Sequence, residues 1–138
     1  MFLLDTNVVS ELRKATSGRA HPNVTRWATT VLADQMFLSA ITVLELEAGV
    51  LLIERRDPTR GTVLRTWLDR VLLPEFTQRI LSVDAEVARQ CARLHVPDPR
   101  AERNAFLAAT ALVHGMTVVT RDVTDFQPTG VALLNPWS

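Results

Sequence analysis

Along this chain, short apolar runs alternate with longer segments of helical period. Phe2, Leu3 and Leu4 are apolar and stop at Asp5. Val8, Val9 and Leu12 then recur on one helical face to about Arg13, with Thr6 placed to cap that helix. Lys14 to His21 is small and polar and reads as a loop. Pro22 opens a second helix at its favoured first-turn position, with Trp27, Val31 and Leu32 as the apolar stripe. Met36 to Leu38 is another buried run, followed by a helix in which Thr42 and Glu45 have capping-box spacing.

Pro58 restarts a helix after a break. Val63, Leu64, Trp67, Leu68 and Val71 keep the helical spacing to about Leu73, and Pro74 is expected to end it. Arg79 to Val83 is a short strand. Asp84 caps a helix whose inward positions are Val87, Ala88, Cys91 and Leu94. Between Pro97 and Pro99, Asp98 is placed to cap a helix from Arg100 to His114, which Gly115 stops. Met116 to Thr120 and Val131 to Leu134 are the last strands. Strands that alternate with helices, with two consecutive helix pairs in the middle, predict an α/β fold: a central, mainly parallel sheet with helices on both faces.

Composition narrows the setting. The 138 residues fit one domain with a substantial core; 47% are apolar and 22% charged, the mark of a soluble globular chain. Fifteen acidic residues balance fifteen basic ones, so non-specific polyanion binding is not the whole function. No run approaches the roughly 20 apolar residues of a membrane span, and no basic region precedes the first apolar run, so neither a membrane segment nor a signal peptide is expected. Cys91 is the only cysteine, which excludes an intrachain disulfide and a cysteine metal cluster and points to the cytoplasm. Lys14 is the only lysine; the other basic side chains are arginines, suited to phosphate.

The candidate chemistry is carboxylate chemistry. Asp5 follows the first strand, Glu45 lies early in the helix after the second, Asn104 early in the last long helix, and Asp122 just after the strand ending at Thr120. In a doubly wound sheet such ends meet on one edge, where ligands bind. Clustered carboxylates repel unless a cation neutralises them, and Mg²⁺ or Mn²⁺ takes such oxygen ligands. Each residue also has a plainer role: Asp5 as a helix cap, Glu45 as the capping-box partner of Thr42, Glu47 as a salt-bridged neighbour, Asp122 and Asp125 as turn acids. His21, His95 and His114 lack metal-ligand spacing, and Cys91 reads as core packing.

Three blocks, LLDTNVVSEL, SAITVLELEAG and AFLAATALVHGMTVVTRDVTDF, together resemble the signature blocks of PIN-domain proteins of the VapC/FitB type, the toxins of bacterial toxin–antitoxin pairs. The resemblance covers the whole chain and implies one PIN domain over residues 1–138, a three-layer α/β/α sandwich and a Mg²⁺- or Mn²⁺-dependent endoribonuclease. It places the family's first, second and fourth acids on Asp5, Glu45 and Asp122. Thr120 is expected to support the site by hydrogen bonding, and Thr6 and Asn7 belong to the first block. It further implies a homodimer, or a heterotetramer or octamer with a small DNA-binding antitoxin whose tail covers the acidic groove.

The third acid departs from the pattern: the family has Asp where this chain has Asn104. The carboxamide keeps the shape and one oxygen but loses the charge, leaving three carboxylates. Either a nuclease was silenced by substitution, or this is a natural variant with weak or no activity. Asp98 and Glu102 are the nearby acids that could compensate. The expected reaction is in-line hydrolysis of an RNA phosphodiester to 5′-phosphate and 3′-hydroxyl ends, with Arg103 and Arg121 as candidate phosphate contacts and surface ion pairs as their plainer reading. The rival is an inactive PIN module that acts only through antitoxin binding and dimerisation. An aspartyl-phosphate phosphotransferase fits less well, because Asn7 stands where its second acid belongs.

Overall fold

In the computed structural model, which describes residues 1–138, five parallel strands form one sheet in the order β3-β2-β1-β4-β5. They are β1 (Phe2–Leu4), β2 (Met36–Ser39), β3 (Ile80–Leu81), β4 (Thr117–Val119) and β5 (Leu133–Leu134). Between β1 and β2 run α1 (Thr6–Arg13) and α2 (Pro22–Thr29); between β2 and β3 run α3 (Ala40–Arg56), α4 (Pro58–Trp67) and the short α5 (Leu73–Glu75). The chain then passes through α6 (Ala85–Leu94) and α7 (Glu102–His114) to β4, and α8 (Val123–Phe126) leads to β5. Parallel neighbours need crossover helices, and here the crossovers cover both faces. This is the expected three-layer α/β/α sandwich.

The period of two along the strands builds the two cores. Leu4, Leu38 and Val119 face α1, α3 and the α4–α5 region, packing with Val8, Val9, Leu46, Val50, Leu68, Leu72 and Phe76. Their neighbours Leu3 and Val118 face the other way, onto Leu107, Ala108, Ala111 and Phe126 of α7 and α8. The alanines of α7 let it lie close on α6, where Ala105 and Ala109 meet Val87 and Cys91.

Several local expectations are corrected. Asp5, not Thr6, caps α1: its carboxylate accepts from the Thr6 amide. Ser39, not Thr42, caps α3, which starts at Ala40; Thr42 is fully buried inside the helix with its hydroxyl unpartnered, so the capping box does not form. Helix α2 stops at Thr29, which puts Val31 and Leu32 outside it; Leu32 is exposed, and Val24 is the buried residue. Pro74 does not end its helix. The chain passes through a π-helical turn, Leu68–Leu72, into α5, where Pro74 sits in the first turn and its missing N–H is not needed. That turn buries Leu68 and Leu72 and leaves Val63 and Val71 exposed. Ala88 is exposed, and α7 begins at Glu102 without a side-chain cap, so Asp98 does not cap it. Gly115, at φ 67°, ends α7 in the left-handed conformation as expected. No helix is long and apolar enough to cross a membrane.

Helices α3 and α4 form a tight hairpin at Gly61. A Cβ on that residue would lie 2.5 Å from Glu54 Cα. Alanine in a helix interior is ordinarily favoured over glycine by about 1 kcal/mol, but backbone cannot yield cheaply. Gly61→Ala is therefore expected to destabilise the fold by about 1 to 3 kcal/mol, measured by denaturant unfolding.

Candidate active site

The strand order reverses at β1, whose neighbours are β2 on one side and β4 on the other. Such a switch point opens a crevice beyond the strand ends. Asp5 leaves β1 there and Thr120 to Asp122 leave β4. Backbone pairing carries on past both strands: the Asp5 amide donates to the Val119 carbonyl (2.9 Å), and the Thr120 amide to the Leu134 carbonyl (3.0 Å).

Thr120 is the hub. Fully buried, its hydroxyl donates to Asp5 Oδ2 (2.8 Å) and accepts from the Asp122 amide (2.9 Å) and, more weakly, from Asn7 Nδ2 (3.5 Å). Asn7, in the first turn of α1, spans the crevice. Its Nδ2 donates to Asp122 Oδ2 (3.2 Å) and its Oδ1 accepts from the Arg121 amide (3.4 Å). Thr6 turns the other way and donates its hydroxyl to Glu45 Oε1 (2.8 Å), 39 residues on in α3. Glu45 therefore joins the edge through Thr6 rather than capping its own helix.

Electrostatically this edge is costly. Asp5 is 8% exposed, and burial pushes its carboxyl above the ordinary aspartate range. The Thr120 hydroxyl and Thr6 amide pull it back, while the like charges of Glu45 and Asp122 push it up further. Positive charge nearby is sparse. Arg103 Nη1 stands 3.7 Å from Glu45 Oε2, so that arginine reads as an ion pair with the site rather than a free phosphate contact. Arg121 has no carboxylate partner, and its guanidinium lies over the Trp137 ring.

Asn104 lies in the first turn of α7. It lines a cleft of about 300 Å³ with Arg100, Ala101, Asp125 and Thr129, and no hydrogen bond ties it to Asp5, Glu45 or Asp122. Asp125, which read as a turn acid, is the carboxylate sharing that cleft; its spacing three residues after Asp122, one turn of α8, is the signal that could have found it. Glu102, in the first turn of α7, is close enough to Cys91 of α6 for its charge to help push that thiol up. Asp98 is exposed. Glu47 is salt-bridged to Arg65 (2.5 Å), as expected.

The oxygen donors of Asp5, Glu45, Asp122 and Asn104 suit a hard divalent cation, and the mutual repulsion at Asp5 is what a cation would relieve. The side chains of Asp5, Glu45 and Asp122 are held by Thr6, Asn7, Thr120 and Arg103, and no three acidic, histidine or cysteine side chains form a closed ligand set. In donor chemistry the residues fit; in spacing the site is open.

The PIN domain family model matches residues 2–128. The chain is 40% identical over 145 residues to the toxin FitB of Neisseria gonorrhoeae, covering 99% of each. It is 35% identical over 142 residues to the VapC ribonuclease Y4jK of Sinorhizobium fredii, covering 99% of this chain and 98% of that one. Among solved structures, a chain of FitAB bound to a DNA fragment superposes with a TM-score of 0.90 at 36% identity, over 100% of this chain and 96% of that one. FitAcB from Neisseria gonorrhoeae gives 0.89 at 37% identity, over 99% of each.

Two outcomes follow from the hub and from the charge balance. Thr120→Val strips Asp5 of a buried hydrogen bond and is expected to cost about 1 to 3 kcal/mol in denaturant unfolding, with Thr120→Ser close to the unaltered protein. The Asp5 carboxyl, followed by carbon-13 NMR, is expected to titrate above the ordinary aspartate range and to move down in Glu45→Gln or Asp122→Asn. A carboxyl whose folded pKa exceeds its unfolded one favours the fold when protonated. That contribution is present below the unfolded pKa and is lost as pH rises through the folded one.

Proposed function

The chain belongs to the PIN domain family, and we propose that it is the toxin of a toxin–antitoxin pair whose chemistry is the endonucleolytic hydrolysis of RNA. The observation that supports this most is the gathering of Asp5, Glu45 and Asp122 at the switch point by Thr6, Asn7 and Thr120, in a chain similar end to end to a VapC ribonuclease and to FitB.

In this reading Asp5, Glu45 and Asp122, with the Asn104 carbonyl oxygen, hold Mg²⁺ or Mn²⁺. When bound, the cation supplies positive charge against the charge that develops on the phosphate oxygens. The rest falls to the chain's own side chains. The Thr120 hydroxyl and the Thr6 amide fix the two oxygens of Asp5. Thr6 orients Glu45 and Asn7 orients Asp122, so none of the three carboxylates has to find its rotamer as substrate arrives. Water attacks phosphorus in line with the 3′ oxygen, which leaves with a proton as the 3′-hydroxyl and leaves the phosphate on the 5′ side. Asn104 contributes an oxygen but no charge and takes up no proton, and this is the step that falls short.

That shortfall supports a second reading, an inactive module working through partners alone. Both readings share the partner surfaces: a cognate antitoxin that is a small DNA-binding protein, and a second copy of the chain, in a homodimer or in a heterotetramer or octamer with the antitoxin. Leu44, Leu51 and Leu52 of α3 and Val63 and Val71 beyond it are exposed where the second copy is expected. An apolar cleft of about 330 Å³ lined by Leu12, Ala28, Met36, Trp67 and Phe76 suits an apolar segment of the antitoxin.

Cleavage of structured and single-stranded RNA in Mn²⁺ distinguishes the readings. Asn104→Asp is expected to exceed the chain as it stands by about 10- to 100-fold, with Asp5→Ala as the inactive control. Cleavage by neither form above that control sinks the ribonuclease reading; equal cleavage by both removes position 104 from the mechanism.

A further inference from the structure

An RNA phosphate next to the scissile one lies beyond the cation that the three carboxylates would hold, and a chain of zero net charge can attract it only through a positive side chain close by. Arg103 is already paired with Glu45. Arg121 is not paired with any acid, although it directly precedes Asp122. Its backbone is fixed to the site, since its amide donates to Asn7 Oδ1 (3.4 Å) and the next amide donates to the Thr120 hydroxyl (2.9 Å). Its side chain is fixed elsewhere: the guanidinium carbon stands 5.2 Å from the centroid of the Trp137 ring.

Trp137 is itself pinned. Its amide donates to Asn135 Oδ1 (2.9 Å), its carbonyl accepts from Asn23 Nδ2 (2.8 Å), Pro136 beside it is buried, and its side chain packs half-buried against the core cluster that holds Leu4, Val8 and Val9. The segment after β5 is thus anchored in a way that puts an aromatic face under Arg121. A carboxylate in that place would orient the arginine but neutralise it. An aromatic ring orients it and leaves the whole charge, and all five N–H donors, for an anion.

We infer that Trp137 is a positioning residue, whose ring holds the Arg121 guanidinium at the carboxyl edge of the sheet as a clamp for an RNA phosphate neighbouring the scissile one. The clamp rests on the ribonuclease reading above and extends it. Arg121 touches the phosphate; Trp137 acts only through Arg121, by sparing it the loss of side-chain freedom on binding. Asn7 ties the two parts together, because it bonds both the Arg121 amide and the Asp122 carboxylate. The clamp and the acids are therefore held in one register.

The test is equilibrium binding of a fluorescent single-stranded oligoribonucleotide to the full chain, with a chelator present, over a salt series. Arg121→Gln is expected to lower the slope of log affinity against log salt by about 0.7, the value for one phosphate contact on a single strand. Trp137→Leu keeps apolar bulk and is expected to weaken binding about threefold to tenfold, the range of one cation–π contact. The coupling is decisive: in the Arg121→Gln background Trp137→Leu should have no further effect, whereas a merely structural tryptophan would weaken binding in both backgrounds alike. Where Trp137→Leu does not fold, Trp137→Phe replaces it, with a smaller loss that again vanishes without Arg121. An unchanged slope in Arg121→Gln, additive losses, or no RNA binding by the unaltered chain overturns the clamp. Cleavage by Asn104→Asp tests the ribonuclease reading separately, so RNA binding that ignores both substitutions sinks the clamp alone.

Discussion

The pairing of β1 with β4, sealed by the buried hydrogen bond from Thr120 to Asp5, is the contact on which the candidate site depends. Parallel strands whose sequences lie more than a hundred residues apart are brought edge to edge there, and their next residues emerge on the same side. The Thr120 hydroxyl has one proton, and it goes to Asp5 Oδ2. Its lone pairs receive the Asp122 amide and, at longer range, Asn7 Nδ2. One small buried side chain thereby sets the position of two acids and of the amide that bridges them. A residue of another shape at 120 would leave Asp5 buried, charged and short of a donor, a state that costs more than the hydrogen bond itself contributes.

Around that contact the chain carries an unfavourable concentration of negative charge and limits it with dipoles more than with cations. The Thr6 amide, the Thr6 and Thr120 hydroxyls and the Asn7 carboxamide all donate to carboxylates. Only Arg103 brings a formal positive charge to an acid of the site. Neutral donors orient carboxylates without cancelling them, which suits a site meant to attract a cation from solution. Asn104 fits the same economy of charge but from a different cleft, shared with Asp125.

The two arginines at the edge show how context decides the use of one residue type. Arg103 lies on the first turn of α7, within reach of Glu45, and the acid takes it. Arg121 is held between a backbone fixed by Asn7 and a ring supplied by the segment after β5. Position relative to the sheet, not residue type, separates an internal counter-charge from an available one.

Much of this was legible in local pattern. The apolar runs ending at Leu4, Leu38 and Val119 read as strands, and their alternation with helical segments implied helices on both faces. The ends of strands in such folds converge, which makes Asp5, Glu45 and Asp122 candidates, and the resemblance of the blocks around them to the PIN signature implies their role. The misplaced caps at Thr6 and Thr42 share one cause. Spacing rules assume that a polar side chain serves its own helix, but here burial and distant partners prevail: Thr6 gives its hydroxyl to Glu45, and Thr42 is enclosed by the core. Pro74 was misread for a related reason, since packing of Leu68 and Leu72 carried the helix through a π turn to a position where proline is harmless. Sequence order, periodicity and residue type were enough to specify the layers and the strands. Which hydroxyl holds which carboxylate, that Asn104 and Asp125 line one cleft, and that Trp137 lies under Arg121 depend on contacts between residues far apart in the chain, and those come into being only when the sheet closes.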